Sequence, residues 1–142
     1  MLVKEAMTKN VIVVNPDATI KDAAKIMTQQ RVGSLLVIEG NKLVGIITEL
    51  DIIWKVVAGD LDPKITLVRD VMTKQVVSVK ANQTLEDATQ IMVENSIKKL
   101  PVLEDDKLVG IITATDLISV QPKMIEALAK LLLFEEKKPA AG

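Results

Sequence analysis

Shifting the chain against itself aligns positions 3–54 with 68–119 without an insertion, and about 23 of those 52 pairs are identical, which marks an internal repeat. Val3 falls on Val68, Met7-Thr8-Lys9 on Met72-Thr73-Lys74, and Asp22-Ala23 on Asp87-Ala88. The phrase "KLVGIIT" from Lys42 to Thr48 recurs letter for letter from Lys107 to Thr113. Two copies of this length are too few and too long for a solenoid. They predict two homologous half-domains packed on one another.

Within each copy the elements follow the same order. "VIVVNP" and "VVSVKA" are β-branched runs closed by turn-prone residues, hence short strands. Ile20, Ala23, Ala24 and Met27 then stand at i, i+3, i+4 and i+7, and Leu85, Ala88 and Met92 repeat that helical stripe, a core face. "SLLVIEGNKLVGIIT" and "KLPVLEDDKLVGIIT" each read as a hairpin of two apolar strands around a polar turn. A helix follows, "ELDIIWKVVA" in one copy and "ATDLIS" in the other.

The expected fold is therefore mixed α/β (α+β): two β-α-β-β-α repeats, residues 1–59 and 60–121, packed sheet to sheet with pseudo-twofold symmetry. Each repeat alone would have a marginal core, so the two should share a buried face and not fold independently. Residues 122–142 add an amphipathic C-terminal helix, with Met124, Ile125, Leu128, Leu131 and Leu132 at helical spacing after Pro122, and a disordered tail. That helix covers an edge of its own domain, meets a dimer mate or partner, or stands exposed and mobile.

Composition narrows the chemistry. The chain has no cysteine and no histidine, which removes disulfides, thiolate and imidazole metal sites, and Ser-His or Cys-His nucleophile chemistry. No convergent acid-base pair stands outside helix-capping positions, so no enzyme is expected. A formal net charge of −1 and only two aromatic residues, Trp54 and Phe134, argue against nucleic acid. No apolar run approaches the ~20 residues of a membrane span, and the first ten residues lack a secretory signal's apolar stretch. A soluble, cytoplasmic protein is expected.

The repeated phrase ends in Thr-x-x-Asp, Thr48 with Asp51 and Thr113 with Asp116, after a strand glycine, Gly45 or Gly110. Glycine inside a strand marks a place where something approaches the backbone closely. Thr-x-x-Asp at a helix start is a capping box, and Thr19 with Asp22 and Thr84 with Asp87 share its spacing. The same atoms also suit a nucleotide: the hydroxyl and helix N–H groups toward phosphate, the carboxylate toward a ribose diol. Ile12, Val32, Val77 and Ile97 offer apolar surface for adenine. Spacing alone leaves both readings open.

Two β-α-β-β-α copies opening with "VKEAMTK" or "VRDVMTK" and closing with "GIITELD" or "GIITATD" resemble a tandem pair of cystathionine-β-synthase (CBS) domains, a Bateman module, over about residues 1–119. The resemblance implies adenine-nucleotide binding in clefts between two halves, with Asp51 and Asp116 on ribose and Thr48 and Thr113 facing ribose or phosphate. It further implies roles for Val32-Gly33 and Ile97-Lys98, and for the small helix residues Ala23 and Ala88. The copies diverge between "RVGSLLV" and "SIKKLPV", where Lys98 and Lys99, just before Leu100 and Pro101, add positive charge that Gly33 and Ser34 do not. The second site is thus expected to be the tighter one for AMP, ADP or ATP.

The functional expectation is a regulatory sensor, binding an adenine nucleotide, forming a homodimer and acting on a separate protein, with no metal and no cofactor. S-adenosylmethionine presents the same adenosine face and is the alternative ligand. A structural dimerisation scaffold with vestigial clefts is the alternative of another class.

Overall fold

A computed structural model describes residues 1–120 and 125–137, with backbone alone for 125, 126 and 134–137. The expectations for Pro122, Met124, the Ile125 side chain and the last five residues lie outside the described part.

In chain order the elements are α1 (Val3–Ala6), β1 (Val13–Val14), α2 (Ile20–Gln30), β2 (Ser34–Glu39), β3 (Lys42–Thr48) and α3 (Glu49–Asp51), which runs on as a π-helical stretch Ile52–Val57. Then come α4 (Val68–Val71), β4 (Val79–Lys80), α5 (Leu85–Asn95), β5 (Lys99–Glu104), β6 (Lys107–Thr113), α6 (Ala114–Val120) and α7 (Ile125–Lys137). The expected mixed α/β class and the doubled β-α-β-β-α order are both present. The first closing helix departs from expectation by widening to π geometry, Ala58 N–H donating to Ile53 O at 2.9 Å. Its inward residues, Ile52 and Val56, stand four apart, a spacing that fits either winding.

The compact units do not follow the repeats. A central unit comprises Ile12–Val76, and a terminal unit joins Met1–Val11 to the chain from Val77 onward. In the central unit β1 runs parallel to β2, which pairs antiparallel with β3, Leu35 opposite Ile47 and Val37 opposite Gly45. In the terminal unit β4, β5 and β6 repeat this arrangement, with Leu100 opposite Ile112 and Val102 opposite Gly110. Both hairpins turn in two residues. Gly40 supplies the left-handed conformation in one, while Asp105 and Asp106 adopt it in the other.

Each unit's core is completed by a short helix from the other sequence repeat. Val68 and Val71 of α4 are buried with Ile20, Leu35 and Ile47, and Val3 of α1 is buried with Leu85, Leu100 and Ile112. The first N–H groups of these helices find loop carbonyls in place of side-chain caps: Val68 N donates to Ala18 O and Val3 N to Gln83 O, both at 2.8 Å. Past each helix the chain crosses a β-strand. Ile46 and Thr73 exchange both backbone hydrogen bonds at 2.9 and 2.8 Å, and Thr8 and Ile111 do the same at 2.8 and 2.9 Å.

These crossings account for the strand glycines. A Cβ on Gly45 would lie 2.7 Å from Met72 Sδ and 2.9 Å from the Thr73 carbonyl oxygen, and one on Gly110 would lie 2.6 Å from Met7 Sδ and 2.9 Å from Thr8 O. The close approach inferred from the sequence is thus made by the protein's own backbone. Of the C-terminal helix, Leu128 and Leu131 of α7 are buried in the terminal unit's core, α7 packing on α5 and α6. It covers its own unit.

Gly45→Ala and Gly110→Ala should each destabilise the protein by about 1–3 kcal/mol, the usual range for overpacking against atoms that cannot retreat. Urea unfolding of the two variants checks this, and unchanged midpoints would contradict the crossing geometry.

Candidate functional site

The site elements are set by strand ends. β3 delivers Thr48 and β6 delivers Thr113 to the starts of the following helices, where extended backbone at Thr48 turns helical at Glu49. Both Thr-x-x-Asp phrases close reciprocally. Asp51 N donates to Thr48 Oγ1 at 3.1 Å while Thr48 N donates to Asp51 Oδ2 at 3.1 Å. Asp116 N donates to Thr113 Oγ1 at 3.1 Å and Thr113 N to Asp116 Oδ2 at 3.0 Å. Each pair is therefore a capping box. Thr84 with Asp87 closes the same way at the start of α5, so the box by itself does not single out a ligand site.

What differs is the rest of each carboxylate. Asp51 is buried, and Lys55 Nζ lies 3.1 Å from its Oδ1. Thr73 Oγ1 lies 3.2 Å from Oδ1 and 3.3 Å from Oδ2. Lys55 is anchored a second time, donating to Val71 O at 2.8 Å. Asp116 is only half-buried, and among the described residues it accepts from Thr113 N alone. The positions matching Lys55 and Thr73 hold Val120 and an exposed Thr8.

The other predicted residues fall into three groups. Ile12 and Val32 pack at the margin of the central core, Ile97 at the margin of the terminal core, and Val77 is exposed. Lys98 and Lys99 are exposed at the start of β5, with Lys98 O accepting from Ala114 N at 2.8 Å, and Pro101 is buried within β5. Ala23 and Ala88 correct the expectation: both have no exposed surface and belong to the helix faces that form the two cores. A small residue there lets helix approach sheet.

Val32 and Gly33 line a cleft of about 490 Å³ with Met27, Arg31, Glu49 and Ile52. Neither Thr48 nor Asp51 lines that cleft. Glu49 reaches back to Gly33, its carboxylate oxygen 3.1 Å from where a Gly33 Cβ would stand, and Glu49 N donates to Gly33 O at 3.0 Å. Sequence reasoning missed Glu49, Lys55 and Thr73. Lys55 carries a local signal, four residues after Asp51 on one helix. Thr73 carries none, because only the chain crossing brings it to the site. Among the described residues no cluster of three or more acidic side chains is placed to hold a metal, and no helix is long and apolar enough to cross a membrane.

The CBS domain profile matches residues 3–58 and 68–123. The chain belongs to the CBS domain family. It is a tandem CBS pair, 40% identical over 115 residues to the CBS domain-containing protein YhcV of Bacillus subtilis, covering 81% of each chain. It is 37% identical over 116 residues to an inosine-5'-monophosphate dehydrogenase of Methanocaldococcus jannaschii, spanning 80% of this chain and 22% of the enzyme, which therefore shares the CBS region alone. Among solved structures, the conserved CBS domain protein TA0289 of Thermoplasma acidophilum superposes with a TM-score of 0.78 at 30% identity, covering 97% of this chain and 78% of that one. Tandem CBS domains are regulatory ligand-binding modules. Each CBS repeat here lends its opening segment, through Val11 or Val76, to the unit built mainly from the other.

The two carboxylates should differ in stability cost. Asp51→Ala removes charged hydrogen bonds from a buried site, a loss of about 1.5–3 kcal/mol. Asp116→Ala removes a cap alone, about 1 kcal/mol. Denaturation midpoints rank the two, and equal losses would show that the Lys55 and Thr73 contacts contribute nothing.

Proposed function

We propose that this CBS pair is a regulatory sensor that binds an adenine nucleotide, AMP, ADP or ATP, and acts on a separate protein. The observation that carries this reading is the Asp116 carboxylate. Thr113 N holds its Oδ2, and Oδ1 faces no donor among the described residues. A ribose diol supplies the two hydroxyl donors that such a carboxylate accepts. Thr113 Oγ1 accepts from Asp116 N and keeps its own proton for a ribose or phosphate oxygen. Lys98 and Lys99 put positive charge at the start of the neighbouring strand. The shared CBS region of an inosine-5'-monophosphate dehydrogenase supports the regulatory class, since there such a module accompanies a nucleotide enzyme.

Regulation needs a surface for the regulated chain or a second copy. Ile53, Trp54 and Val57 of the central unit are half or more exposed, in keeping with such a contact. The closed capping boxes favour the scaffold reading, in which Thr113 and Asp116 act only on stability. S-adenosylmethionine offers the same diol, so ligand competition decides between the adenosyl compounds.

At 100 times its dissociation constant a nucleotide stabilises the fold it binds by about 2.7 kcal/mol. Thermal melts of the full chain with AMP, ADP, ATP or S-adenosylmethionine should therefore show a rise of several degrees with one of them. No shift with any at millimolar concentration would leave the scaffold.

A further inference from the structure

We propose that the two phrases are unequal by construction: the Asp116 site takes the nucleotide, while Lys55 and Glu49 close the Asp51 site, so each chain binds one nucleotide. This rests on the adenine-nucleotide reading above and adds which site works and which side chains disable the other.

The first argument concerns hydrogen-bonding capacity. A carboxylate offers about four lone-pair directions. At Asp51 they are faced by Thr48 N, Lys55 Nζ and the Thr73 hydroxyl, all between 3.1 and 3.3 Å. A diol entering there must displace the Lys55 ammonium, the one of these donors with no counterpart in the second repeat. Lys55 is held in place from behind by Val71 O at 2.8 Å, so the ion pair is part of a chelated arrangement and not a loose surface contact. At Asp116 only the backbone contact, from Thr113 N, is present among the described residues: Val120 has no charge to offer, and Thr8 makes no bond to the carboxylate.

The second argument concerns the phosphate. In the central unit the Glu49 carboxylate lies against Gly33, its two oxygens 3.1 and 3.5 Å from the Cβ position, so a phosphate approaching Gly33 meets a like charge. The residue matching Glu49 is Ala114, and the residue matching Gly33 is Lys98. Sugar and phosphate therefore point the same way. Both are disfavoured at one site by groups that the other lacks.

The test is equilibrium dialysis of the full chain with AMP and with ATP. One nucleotide per chain is expected, and Asp116→Asn should weaken binding at least tenfold. Lys55→Val combined with Glu49→Ala writes the second repeat's residues into the first and should raise the stoichiometry to two, with melting checked to show that the variant is folded. Two equal sites in the unmodified chain would overturn the proposal, as would a folded double variant that still binds one. If the unmodified chain takes up neither AMP, ATP nor S-adenosylmethionine, the adenosine reading itself falls, and this inference falls with it.

Discussion

Backbone crossing backbone at Gly45 and Gly110 is the constraint on which the rest depends. The Met-Thr segments can hydrogen-bond to Ile46 and Ile111 only if nothing projects from the neighbouring strand residue, and a single methyl there would sit within 3 Å of sulfur and carbonyl oxygen. Because the crossing is made, α1 and α4 insert Val3, Val68 and Val71 into cores built mostly from the other repeat. Folding therefore couples the chain's beginning to its second half. Neither repeat, cut at its sequence boundary, carries the apolar side chains needed to finish its own core.

The same crossing decides the chemistry beside it. It sets the Thr73 hydroxyl against Asp51, whereas Thr8, which pairs with Ile111 in the same way, is exposed and makes no bond to Asp116 among the described residues. In the central unit Lys55 follows Asp51 by one turn and adds an ion pair to a buried carboxylate that Thr48 N and Thr73 also contact. In the terminal unit Val120 stands there, and among the described residues the half-buried carboxylate accepts from Thr113 N alone. Both repeats keep the Thr-x-x-Asp frame, while the residues on the closing helices differ and Asp51 is buried where Asp116 is half-buried.

The capping box and a ligand need not compete for Asp116. The backbone N–H of Thr113 uses Oδ2, and the Thr113 hydroxyl accepts from Asp116 N while its own proton stays available. The helix cap thus uses one oxygen of the Asp116 carboxylate and leaves the other without a donor among the described residues. At Asp51 both oxygens already carry contacts, from Thr48 N, Lys55 Nζ and the Thr73 hydroxyl.

Much of this was legible in the order of residues. The ungapped repeat, the helical stripes and the two-residue turns act over short stretches, where backbone geometry and side-chain period dictate structure directly. The strand glycines declared a close approach, and Thr-x-x-Asp declared its caps. The sequence could not say what approached the glycines, that Ala23 and Ala88 would be wholly interior, or that Thr73 would reach Asp51 across 22 residues. By itself, then, the sequence determined the elements, their doubling and the residues that mark both sites. Only the tertiary structure decided which segment completes which core and that Thr73 reaches the Asp51 carboxylate, because those outcomes hang on contacts between residues far apart in the chain, and no local period records them.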